Sequence, residues 1–166
     1  MNIRYATTDD VGLISTIAAI TWPATYGHIL SKNQLDYMLE RMYNHDVLIQ
    51  SMTSNTCHFL ITEDADETPL GFAGFRRNYP EQMRYRLDKL YVLPEHQGKG
   101  IGKALLSEIC KEMKTANAQV LELNVNRYNH ARLFYEKLGF TIARTEDIDI
   151  GNGFLMNDYV MELHLV

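Results

Sequence analysis

"LYVLPEHQGKGIGKALL", Leu90 to Leu106, decides how this chain is read. A strand-like segment runs into Gly98, Gly100 and Gly102, and then into an apolar run with helical spacing. Glycine costs about 1 kcal/mol against alanine inside a helix, so glycines at a helix start need a reason. The first turn of a helix carries unpaired N–H groups and the positive end of the helix dipole. Backbone without side chains can approach phosphate oxygens closely. The same glycines would also serve a tight strand–helix turn that holds no ligand.

Two other phosphate motifs fail. A Walker A loop would need glycine at Gln97 and Ser or Thr at Ala104. A dinucleotide fingerprint needs G-x-G-x-x-G, whereas this loop offers G-x-G-x-G.

Outward from the loop, the chain alternates between two periods. "NIRYA" reads as a strand, and "TTDD" caps a helix from Val11 to Ile20 that "TWPATYGHIL" breaks at Pro23 and Gly27. Ser31 caps a second helix to about Met42, and 44–52 adds a short third. "CHFLITED" and "PLGFAGFRR" form a hairpin, and "RYRLDKLYVL" is the next strand. Leu105, Ile109 and Met113 mark a helix over Lys103–Lys114. "QVLELNV" is a strand, and "NHARLFYEKLG" a helix stopped by Gly139. Two last strands flank Gly151-Asn152-Gly153. The order is β, two or three helices, three strands, α, β, α, β, β: one mixed α/β domain over residues 1–166.

Composition agrees with a globular protein: 166 residues, 46% hydrophobic, 22% charged, net charge −5. The acidic balance argues against nucleic acid as a partner. No apolar run is long enough for a bilayer, and no signal core precedes the first strand, so a cytoplasmic location with no membrane partner is expected. Cys57 and Cys110 read as buried, reduced thiols without metal-ligand spacing, so no metal site is expected.

Gln97-Gly98-Lys99-Gly100-Ile101-Gly102 resembles the Q/R-x-x-G-x-G/A motif of the GNAT superfamily of N-acetyltransferases. "NHARLFYEKLGF" is similar to that family's fourth helix and following strand, and the order of elements agrees along the chain. The pattern is nearest to bacterial spermidine/spermine acetyltransferases. The resemblance implies a mixed, mostly antiparallel central sheet of six to seven strands flanked by about four helices. It also implies a bulge in the fourth strand and a splay between the fourth and fifth strands.

The resemblance further implies acetyl-CoA as co-substrate. Its pyrophosphate would lie on the backbone of Gln97, Gly98, Lys99, Gly100, Ile101 and Gly102, with Lys103 and Ala104 at the helix start. Leu90, Tyr91 and Val92 would hold the pantetheine arm. The family often has Asn three residues before the position of Ala131, where this chain has Tyr128. Asn126 or Asn129 would then contact the cofactor.

Tyr135 matches the family's catalytic tyrosine. A phenol of pKa near 10 is protonated at neutral pH and can give its proton to a departing thiolate, whose thiol has a pKa of about 8.5. By itself, the same tyrosine would also serve as a core aromatic beside Phe134 and Leu138.

Attack on a thioester needs a neutral amine, so a carboxylate or a chain of waters must take its proton. Asp88 is the first candidate. It matches an acidic position of the spermidine/spermine enzymes, and regular alternation would set it on one face with Leu90 and Val92. It could equally be an exposed strand carboxylate paired with Lys89 or Arg86. Glu122 is the alternative base, while His58 and His96 read as surface or turn residues. Trp22, Tyr26 and Tyr37 would wall the acceptor side, with Phe154, Met156 and Asp158 opposite. Packing between helices explains the Trp22–Tyr26 spacing equally well.

The expected activity is acetyl transfer to a primary amine of a small molecule, polyamine-like first, by direct attack in a ternary complex. The alternatives are a peptide N-terminus or amino acid as acceptor, or a non-catalytic acyl-CoA sensor. A homodimer is compatible with the family.

Overall fold

The computed structural model describes residues 1–165. Seven strands form one sheet in the order β1-β2-β3-β4-β5-β7-β6. They span β1 Asn2–Tyr5, β2 His58–Glu63, β3 Pro69–Arg77, β4 Arg84–Val92, β5 Val120–Asn126, β6 Thr141–Gly151 and β7 Phe154–His164. Every neighbouring pair is antiparallel except β4–β5. The helices are α1 Val11–Tyr26, α2 Lys32–Tyr43, α3 His45–Thr53, α4 Ile101–Thr115 and α5 Ala131–Lys137. The expected order of elements is met, with three α-helices in the first group and five among the described residues.

Strand alternation builds a core on each face. Phe59, Ile61 and Phe72 pack with Ile14, Trp22 and Leu48 under α1–α3. Leu60, Ala73, Phe75 and Leu87 pack with Leu105, Ile109 and Phe140 under α4 and α5. Removing such side chains from water at about 25 cal/mol per Å² holds the three layers together.

Local chemistry places the helix starts. Ser31 Oγ accepts the Gln34 N–H at 3.1 Å, and Asn44 Oδ1 accepts the Asp46 N–H at 2.8 Å. One boundary departs from the sequence reading: α1 continues through Pro23 to Tyr26. Proline deprives the Ala19 carbonyl of its bond, but Ala19 is exposed and water can replace it. Trp22 is buried one turn before Tyr26, with ring centroids 4.7 Å apart, and that packing carries the helix past the break. Cys57 and Cys110 are both free thiols, but only Cys57 is fully buried.

Candidate active site

β4 and β5 pair only from Arg84–Leu87 against Val120–Leu123. Beyond that point the two strands part. The cause lies on the other edge of β4: Gly74 pairs with Lys89, but Phe75 pairs with Leu87, so Asp88 is an extra residue. A bulge of this kind bends its strand and steepens the local twist. The gap opens into a cavity of about 560 Å³. Its walls come from α1 (Tyr26), β4 (Leu90, Tyr91), the glycine loop (Gly98), the β5–α5 connection (Asn129) and α5 (Tyr135).

At one end of the gap lies the glycine loop. Gly98 and Gly100 have φ of +76° and +80°, which other residues adopt only under strain. A Cβ on either would meet nothing within 4 Å, so the backbone there faces open space. No side chain among the described residues caps α4. The N–H groups of Gly98 through Lys103 have no backbone carbonyl partner among the described residues. Free donors at a positive helix end suit phosphate oxygens. The Gln97 side chain donates to the Val92 carbonyl at 3.0 Å and fastens the loop to β4. Ala104 is not a free donor, since its N–H is taken by the Gly100 carbonyl at 3.0 Å. Neither Ala104 nor Lys99 lines the cavity.

Tyr135 enters from α5. Its ring packs edge-on against Phe134 and Phe140, at 5.2 and 5.5 Å. Its hydroxyl has no hydrogen-bond partner among the described residues, while the side chain lines the cavity. Burial pushes the phenol well above its ordinary range, and the nearby Tyr26 adds to the shift. The phenol therefore keeps its proton at neutral pH. Ala131 and Asn129 line the same wall, and Asn129 Oδ1 accepts the Ala131 N–H at 2.9 Å. Asn126 is buried, accepts the Tyr128 N–H at 3.0 Å and does not line the cavity. Tyr128 projects into solvent.

On the α1 side, the hydroxyls of Tyr26 and Tyr91 meet at 3.2 Å. Below them the sheet face is charged and paired. Arg76 donates twice to Asp88, at 2.7 and 2.8 Å, and Arg86 once at 3.2 Å. Arg86 also donates to Glu122 at 2.7 Å and to the side-chain oxygen Oδ1 of Asn124 at 2.7 Å. Glu122, 3% exposed, accepts from Arg84 as well. Asn124 in turn donates to Asp158 Oδ2 at 3.2 Å. Burial raises the Asp158 carboxyl above its ordinary range, against the lowering effect of the Asn124 hydrogen bond and the Arg86 charge.

Several sequence expectations change here. The bulge breaks the alternation, so Asp88 turns toward Arg86 rather than sharing a face with Leu90 and Val92. Its carboxylate is held by two guanidiniums, as is that of Glu122; Asp88 lines the cavity, whereas Glu122 does not. Trp22 is a core residue, 2% exposed among Tyr26, Tyr43 and Tyr91, and does not line the cavity. Phe154 packs on Tyr37 at 5.5 Å beside the β6–β7 turn and is also absent from the lining. Tyr37 donates to the Ile150 carbonyl at 3.0 Å, which binds that hairpin to α2. Asn124 escaped the sequence reading. Its signal is the polar set Glu122, Asn124, Asn126 at every second position of an otherwise apolar strand.

Comparison with known proteins gives a consistent picture. The family model described as "Acetyltransferase (GNAT) family" matches residues 16–140. Spermidine N(1)-acetyltransferase of Thermoplasma acidophilum is 31% identical over 162 residues, which cover 94% of this chain and 95% of that protein. The crystal structure of PaiA N-acetyltransferase from Thermoplasma acidophilum in complex with coenzyme A superposes with a TM-score of 0.82. It is 30% identical, and the match covers 99% of this chain and 98% of that one. A shorter match, 43% identical over 54 residues, falls on the [ribosomal protein bS18]-alanine N-acetyltransferase of Haemophilus influenzae. It covers 32% of this chain and 37% of that protein.

Proposed function

The chain belongs to the GNAT family of acetyltransferases, whose members use acetyl-CoA, and we propose that it transfers the acetyl group to a primary amine of a small, polyamine-like molecule in a ternary complex. One observation carries the reading. The gap between β4 and β5 has free backbone donors at one end and the unpartnered Tyr135 hydroxyl on its wall. A sensor domain that only held acyl-CoA would have no use for that hydroxyl.

Bound acetyl-CoA supplies an acetyl group activated as a thioester. Gly98 through Lys103 hold the pyrophosphate through their N–H groups, and the unpaired edge of β4 at Leu90–Val92 lies along the pantetheine arm. Asn129 and Ala131 border that arm from the other wall. Tyr135 gives its proton to the leaving sulfur. The acceptor enters from the Tyr26 side.

The polyamine preference rests on the Thermoplasma relative, named a spermidine acetyltransferase. One observation favours a second reading, an acceptor with a single ammonium such as a peptide N-terminus. The acids near the cleft are largely neutralised: Asp147 by Arg127 at 2.8 Å, Glu146 by Arg144 at 3.0 Å, and Asp88 as described. Thiol release from acetyl-CoA separates the two, measured against spermidine, putrescine, free amino acids and an alanine-starting peptide. Spermidine or the diamine is expected to lead, with an apparent KM that rises with ionic strength. Acetylation of the peptide with the polyamines inert would replace the first reading by the second.

A further inference from the structure

The Tyr91 side chain leaves the edge of β4 that borders the gap. Beyond the bulge, Leu90 and Val92 pack toward α4, whereas Tyr91 packs toward α1–α3. The Tyr91 ring lies against Phe72 at 5.9 Å and Trp22 at 6.0 Å. Trp22 also packs on Tyr26 at 4.7 Å. The buried indole thus sets two phenols side by side, and their hydroxyls meet at 3.2 Å. Both tyrosines line the cavity.

This pair keeps hydrogen-bonding capacity that other polar groups along the cavity lack. Asp88 has both oxygens on guanidiniums, and Asn124 is engaged at both ends by Arg86 and Asp158. Thr21 gives its hydroxyl proton to the Ile17 carbonyl at 2.9 Å. The Lys89 ammonium offers donors only. Two phenols carry two protons and four lone pairs, and their mutual bond uses one of each. One proton and three lone pairs remain, and neither hydroxyl makes another hydrogen bond among the described residues. Burial raises both phenols above their ordinary range, so both stay neutral.

Resting on the acyl-transfer reading above, we infer that the Tyr26–Tyr91 hydroxyl pair positions the acceptor amine, a phenol oxygen accepting one of its N–H bonds. A neutral primary amine has two N–H bonds and one lone pair. Only the lone pair can attack the thioester carbon. An N–H held on the α1 face leaves the lone pair to turn into the gap that Tyr135 also lines. Neutral phenols orient the amine in this way without acting as its base. Tyr91 thus serves the cofactor through its backbone and the acceptor through its side chain. Trp22 acts at one remove, as the residue that holds both rings in place.

The competing explanation is a structural tie between α1 and β4. A tie would show in stability and would not separate the amine from the cofactor. The test uses wild type, Tyr26→Phe, Tyr91→Phe and the double variant, with acetyl-CoA and the most active amine of the panel above. The kcat/KM for the amine should fall about tenfold in each single variant, the scale of one hydrogen bond. CoA affinity by calorimetry should stay unchanged. The double variant should lose less than the product of the single losses, because the hydroxyls act as one pair. An active wild type beside a folded single variant with unchanged kcat/KM for the amine overturns this inference alone. So does a CoA affinity that falls as far as kcat/KM, or a change confined to melting temperature. Wild type without thiol release for any amine overturns the acyl-transfer reading and this one with it. If the variants fail to fold, a crystal structure of wild type with CoA and the amine decides. An amine nitrogen within hydrogen-bond distance of the Tyr26 or Tyr91 oxygen supports the role, and one beyond reach of both overturns it.

Discussion

Arg76 grips Asp88 with two parallel hydrogen bonds, from Nε at 2.7 Å and from Nη2 at 2.8 Å. The pair spans β3 and β4 at the bulge that starts the splay. Asp88 is thus an anchor for Arg76 and Arg86. Asp88→Asn should cost about 1–3 kcal/mol of stability, since two partly buried guanidiniums lose their shared counter-ion. Urea unfolding measures that loss. The acid limb of the pH–rate profile should remain. An Asp88→Asn enzyme that folds as well as wild type but has lost the limb would mark Asp88 as the base.

The glycine loop makes a separable prediction. Gly100→Ala adds a Cβ in open space, so its stability cost is that of the positive φ alone, about 1 kcal/mol. Gly100→Glu adds length and negative charge in the space assigned to phosphate. Calorimetry should find CoA binding abolished in the Glu variant and retained, though weakened, in the Ala variant. Unchanged CoA affinity in a folded Gly100→Glu protein would remove the loop from the cofactor site.

Tyr135→Phe keeps the ring that packs on Phe134 and Phe140. The hydroxyl it deletes has no partner among the described residues, so the melting temperature should barely move. Turnover at saturation should fall roughly 10²-fold or more, the scale of lost general acid catalysis. Wild-type turnover in this variant, with chemistry rate-limiting, would leave Tyr135 a packing residue.

Glu112 predicts how stability follows pH. It accepts from Arg77 at 2.6 and 3.0 Å, from Tyr85 at 3.0 Å and from Tyr5. Burial alone would raise this carboxyl, but the hydrogen bonds from Arg77, Tyr5 and Tyr85 outweigh it and hold it below the usual range. A lowered folded pKa means stability that is present above the unfolded value, about 4.3, and lost as pH falls through the folded value. Glu112→Gln should therefore cost about 1–3 kcal/mol at neutral pH. Denaturant unfolding should find that gap closing as acid protonates the wild-type carboxylate. A gap independent of pH would mean that Glu112 acts by shape alone.

Much of this molecule is legible in its sequence, because the deciding signals are local. Ser31 and Asn44 cap helices a few residues away, and Gly98 and Gly100 take backbone angles that their own lack of a side chain permits. Strand and helix periods depend on neighbours in the chain, so the order of elements and the glycine loop can be read there. The resemblance around Tyr135 is likewise carried by adjacent residues. What only the tertiary structure decided involves partners far apart in sequence. The bulge at Asp88 is a matter of register against β3, and one extra residue turns a presumed base toward Arg76 and Arg86. Pro23 looks like a helix end until Trp22 and Tyr26 find their core. Tyr26 and Tyr91 are 65 positions apart, and Asn124 and Asp158 are 34. No period or motif encodes such pairs, because side-chain charge and exposure depend on what the fold brings within a few ångströms.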